Sequence, residues 1–149
     1  TFAQPTEEER ALWKDAVSSP DAAPFVERMA DLGPSALPEL QTVLDETLTK
    51  PWHARWRVID GVREAYKRLG VDALPAASHI LMLIEKSPSS LLNTSGDRKE
   101  WLIALRLMGV PIEELPFLTR PGQTAQLASE KHRIEQQVQR YRQEKKARR

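Results

Sequence analysis

The sequence predicts an all-α protein: a short right-handed stack of antiparallel helical hairpins, about three units, between an N-terminal capping helix and a long C-terminal helix. Three observations carry this. A Leu/Met-Gly step recurs at Gly33, Gly70 and Gly109, spaced 37 and 39 residues apart. A Leu-Pro step follows each one, at Leu37-Pro38, Leu74-Pro75 and Leu115-Pro116. Apolar residues on either side recur every three to four positions, the helical period. Self-similarity over such a distance is the trace that stacked helical hairpins leave in a chain. Composition agrees: β-branched residues are sparse while Ala, Leu, Glu, Arg, Lys and Gln dominate, which favours helix. Hydrophobic residues make up 40% of 149, a globular proportion sufficient for a real core.

The elements follow in order. Pro5-Thr6-Glu7-Glu8-Glu9 reads as a helix start, with Thr6 as cap and Glu9 reaching back in a capping box. The three glutamates suit the positive end of the helix dipole better than a cation site. Leu12 and Trp13 would dock this helix onto the first unit, and Ser18-Ser19-Pro20-Asp21 breaks it. Phe25, Val26, Met29 and Leu32 then form one stripe, closed by Gly33. A partner helix follows at once, with proline in its first turn, where the backbone N–H has no helical acceptor. It carries Leu37, Leu40, Val43, Leu44 and Leu48.

Thr49-Lys50-Pro51 opens the longest helix of the body. Trp52, Trp56, Ile59, Val62, Tyr66 and Leu69 share one face, and Arg57, Asp60, Glu64, Lys67 and Arg68 the other. Gly61 inside it costs about 1 kcal/mol relative to alanine and points to a close neighbour. The next helix, about 72–85, holds Ile80-Leu81-Met82-Leu83-Ile84, a run broad enough to predict a central helix flanked on two sides. His79 at its edge is expected to be met by one local hydrogen bond. Residues 87–96 predict a loop tucked down by Leu91 and Leu92, and Asn93-Thr94-Ser95 matches a glycosylation acceptor. Trp101, Leu102, Leu105 and Met108 form the next helix. A short one begins after Pro111, with Glu113 and Glu114 as partners of its dipole, and Thr119-Arg120-Pro121-Gly122 cuts it off. The third unit is thus incomplete. From Gln123 to Arg149 one long helix is expected. Leu127, Ile134, Val138 and Tyr141 form a narrow seam like that of a coiled coil, the first half packing on the body and the basic end projecting.

The pattern Leu-Gly-x-x-Ala-Leu-Pro, at 32–38 and 69–75 with an apolar helix on each side, resembles the HEAT-repeat family over roughly residues 20–118. That resemblance implies a non-enzymatic scaffold that binds another protein along the second helix of each hairpin. Carried onto this chain, the surface would draw on Glu39, Thr42 and Asp45 in the first unit and on Ser78, Met82 and Glu85 in the second.

Charge divides the chain into a helical-repeat domain at 1–120 and a basic C-terminal helix at 121–149. Residues 1–119 hold 13 Lys/Arg against 18 Asp/Glu, and residues 120–149 hold 9 against 3. A basic end of this kind points to a partner of its own. One alternative function is therefore nucleic-acid or ribonucleoprotein binding through Arg140, Arg142, Lys145 and Lys146. A second is oligomerisation through Ile134, Val138 and Tyr141. No cofactor is implied. The six glycines are scattered, so no phosphate-cradling loop exists. The histidines at 53, 79 and 132 lack metal-ligand spacing, and there is no cysteine to supply a thiolate. No window of 18 apolar residues could span a membrane. Thr1 rather than Met at the start is what a processed or trimmed chain would show.

Overall fold

The structure, a computed structural model, describes residues 23–49, 51–86, 95–115 and 124–147. The expected capping helix around Thr6–Trp13, the loop with Leu91, Leu92, Asn93 and Thr94, and the turn at 119–122 lie outside them. The described residues form an all-α fold, 91% helical, with no strand among them. Helix α1 runs Ala23–Leu32, α2 Leu37–Thr47, α3 Trp52–Leu69, α4 Ala77–Lys86, α5 Ser95–Leu107 and α6 Thr124–Ala147. Short 3₁₀ segments at Gly33–Ala36, Gly70–Ala76 and Ile112–Glu114 lie between them.

The three recurring glycines sit where the chain reverses, and all have positive φ: 62° at Gly33, 59° at Gly70 and 106° at Gly109. At Gly70 the amide still donates to the Tyr66 carbonyl and completes α3, while φ 59° and ψ −130° turn the chain away. That conformation is open to glycine and costly for any residue with a Cβ. At the end of α5 the Val110 amide donates to Leu105 O and the Gly109 amide to Arg106 O, both at 3.1 Å. This pair of bonds is a Schellman closure. Val110 and Leu105, the residues that such a closure brings together, are both buried.

The turns also meet. The 33–36 segment packs against the 70–76 segment. A Cβ built on Gly109 would lie 3.7 Å from side-chain carbons of both Val71 and Leu74. The reversals therefore line one edge of the molecule.

Proline decides how each second helix begins. Pro38 sits in the first turn of α2, as expected. Pro75 falls inside the 3₁₀ segment, so regular α-helix starts only at Ala77 rather than near Asp72. Proline has no N–H for the i→i−4 bond and its ring crowds the preceding turn. A short 3₁₀ stretch absorbs this.

The middle of the molecule is α3, not α4. Helix α3 packs on α1 and α2 and, from another side, on α5; α6 lies on α5. Ile59, Val62, Tyr66 and Leu69 are buried along it, together with Val58 and Ala65. Trp56, expected on the same stripe, is 40% exposed and carries the Arg57 guanidinium over its ring at 5.0 Å. Being enclosed from several sides also buries a charged residue that neither expected face included. Arg63 is only 7% exposed. It pairs with Asp60 at 2.7 Å and lies over the Trp101 ring at 5.8 Å. In α4 the apolar run is not fully covered. Ile80 and Ile84, one turn apart, point inward, Leu81 and Leu83 are half-buried, and Met82 is exposed. Five consecutive residues at 100° each sweep more than a full turn, so one of them must face outward unless a second neighbour covers it.

The core does not break at residue 120. Ile134 and Val138 of α6 belong to the same buried cluster as Met29, Leu40, Ile80 and Trp101.

Candidate protein-binding face and the C-terminal helix

Two helices build the candidate face. Glu39, Thr42 and Asp45 recur every three residues along α2, and Ser78, Met82 and Glu85 every three to four along α4. Residues at this spacing share one side of a helix. Thr42, Asp45, Ser78, Met82 and Glu85 are exposed and Glu39 is half-exposed. Glu39 lies in the first turn of α2, where a carboxylate complements the dipole. The Thr42 hydroxyl donates to the Pro38 carbonyl at 2.9 Å, so its hydrogen is spent on its own helix. Met82, 41% exposed, is the apolar spot of the face.

One contact makes the two helices a single surface. His79 Nε2 of α4 lies 2.9 Å from Asp45 Oδ1 of α2, although the residues are 34 apart in sequence. His79 is thus held by a hydrogen bond to Asp45 of α2 rather than within its own helix. Beneath this pair lies Tyr66 of α3, completely buried. Its hydroxyl has no hydrogen-bond partner among the described residues. Burial pushes the phenol well above its ordinary range, and the negative charge of Asp45 pushes it further the same way.

The C-terminal helix is held differently from the expectation. Ile134 and Val138 are fully buried against the body, so the seam is already covered within one chain and is not free for a second helix. Tyr141 packs half-buried beside them, with the Lys67 ammonium 5.0 Å from its ring centre. Polar contacts flank the seam: Arg106 Nε donates to Glu135 at 2.6 Å, and Arg98 lies 4.0 Å from Glu130. Within the basic end, Lys145 is tied to the body. Lys145 Nζ donates to the Arg68 carbonyl at 2.7 Å. A Cβ on Gly70 would sit 3.9 Å from that ammonium and 3.7 Å from the Leu107 carbonyl. The cation therefore lies where the last turns of α3 and α5 meet, at the negative ends of two helices. Arg140, Arg142 and Lys146 are exposed.

A depression of about 480 Å³ lies open along α6 and is lined by His132, Glu135, Gln136, Gln139, Arg140 and Gln143. All six come from one helix, so no opposed groups converge there. Among the described residues no group of three His, Asp or Glu could hold a metal ion, and no helix is long and apolar enough to cross a membrane.

Sequence reasoning did not name Arg63 and set Lys67 on the polar face, without anticipating the burial of either. Each is mostly buried, held by carboxylates and aromatic rings. The only advance signal was their place in a helix already marked as the longest of the body. Comparison of the chain with protein-family models, with curated proteins and with solved structures finds no match.

Proposed function

We propose that this chain is a non-enzymatic protein-binding scaffold and that its docking face is the combined surface of α2 and α4. The observation that carries this reading is the Asp45–His79 contact, which ties the two second helices together around exposed Met82. A face built on packed helices is ordered before its partner arrives, so little entropy is lost on binding. The order of elements, helix, glycine reversal, proline-started helix, is that of HEAT-like hairpins, whose second helices bind proteins. That likeness supports the choice of face. Met82 supplies an apolar centre and Asp45 and Glu85 a charged rim, the arrangement of an interface core and border.

The test uses the full chain. Partners captured by the wild type are identified and purified, and their affinity is measured for Met82→Asp/Glu85→Lys and for Arg140→Glu/Arg142→Glu. The first pair should weaken binding at least tenfold and the second should not. The reverse pattern would assign binding to α6.

Nucleic-acid binding through α6 is the second reading, favoured by the exposure of Arg140, Arg142 and Lys146. With about three such cations engaged, the logarithm of affinity for a duplex should fall with that of salt at a slope of about −3.

A further inference from the structure

Building on the docking reading above, we propose that the acidic α2/α4 face receives the outward side of α6 from a second copy of this chain, so that copies associate head to tail.

The two surfaces are complementary. Residues 37–49 contain three carboxylates (Glu39, Asp45 and Glu46), and α4 adds Glu85 against Lys86, a balance of −3 for the two helices together. Helix α2 itself has no Lys or Arg. Helix α6 holds six Lys/Arg and three Glu, a balance of +3. Its acidic members are not spread evenly. Glu130 and Glu135 turn toward Arg98 and Arg106 of α5, while Arg133, Arg140, Arg142 and Lys146 are exposed with Glu144. The exposed charges of α6, four cations against Glu144, keep the balance of +3.

Within one copy α6 rests on α5. Buried Ile134 and Val138 and the Lys145–Arg68 bond hold α6 in place. A formal net charge of +1 leaves little overall repulsion between copies. Met82 lies on the acidic face, where the aliphatic stems of arginines can cover it while their heads reach the carboxylates. Two different surfaces that complement each other form a heterologous contact, which repeats into rings or open chains. This contact is distinct from the Ile134/Val138 seam, which stays buried in each copy.

The experiment is light scattering on the purified full chain over a concentration series. It is run at about 0.01 M ionic strength, where charges act over about 30 Å, and at about 1 M, where they act over about 3 Å. The average mass should rise at least twofold with concentration at low salt and return to the monomer at high salt. Two variants separate the surfaces: Glu46→Lys/Glu85→Lys, and Arg140→Glu/Arg142→Glu/Lys146→Glu. Each alone should remain monomeric, and an equimolar mixture should associate again, since each then supplies the charge the other lost. A wild type that is monomeric at low salt, an association that survives reversal of α6, or a mixture that stays monomeric would overturn the proposal. Loss of self-association leaves partner capture through Met82 untouched, so the two readings fail separately.

Discussion

At the scale of single residues, the reversals depend on backbone that only glycine adopts cheaply. Gly70→Ala meets no close atom, since its nearest neighbours would be 3.7 and 3.9 Å away. The cost is conformational. The substitution should destabilise the fold by about 1–2 kcal/mol, as expected for an L-residue forced to positive φ. For a chain of this size that is roughly 2–8 °C in thermal midpoint. Tyr66 makes the opposite prediction. Its hydroxyl is buried without a partner, so Tyr66→Phe should leave stability unchanged or raise it by up to about 1 kcal/mol in urea unfolding. The same phenol gives a pH dependence. Its folded-state pKa is raised above the unfolded value near 10, so its contribution to stability is complete below about pH 10 and is lost as pH rises beyond it. Alkaline titration at the phenolate band should show one of the two tyrosines ionising only with unfolding, and Tyr66→Phe should abolish that phase.

At the scale of elements, what was legible in the sequence was whatever local chemistry decides. The Gly33, Gly70 and Gly109 reversals, the apolar stripe Val26-Met29-Leu32 and the proline start of α2 depend on neighbours a few residues away. The reach of α6 was not legible. A seam of Ile134 and Val138 reads alike whether it meets another chain or its own body, because periodicity marks which side is apolar and not what covers it. The Asp45–His79 contact and the Lys145–Arg68 bond likewise join positions 34 and 77 residues apart. The central place expected of α4 was misjudged for a related reason: a run of five apolar residues carries no period to say which face turns outward. Two predictions belong here. Ile134→Ala should cost about 2–5 kcal/mol, the range for truncating a buried aliphatic residue. Lys145→Met should speed amide exchange in the last turns of both α6 and α3, with a stability loss of about 1 kcal/mol for a cation removed from a helix end.

At the scale of the whole molecule, one buried cluster runs from α1 to α6. A small fold with one continuous core should unfold as one. Leu40→Ala in α2 and Leu105→Ala in α5 should therefore lower the same transition, each by about 2–5 kcal/mol. Far-ultraviolet and near-ultraviolet dichroism should remain coincident in both. Separate transitions would mean that the first hairpin and the α5–α6 pair fold independently.

The ammonium of Lys145 also bears on how this protein can be shortened. Trimming from the carboxyl end is the customary way to obtain a smaller version of a helical protein, because terminal turns are assumed to be dispensable. Here a cut after Tyr141 would remove the plug from a junction formed by residues far earlier in the chain, and the damage would surface in the middle of the protein rather than at its edge.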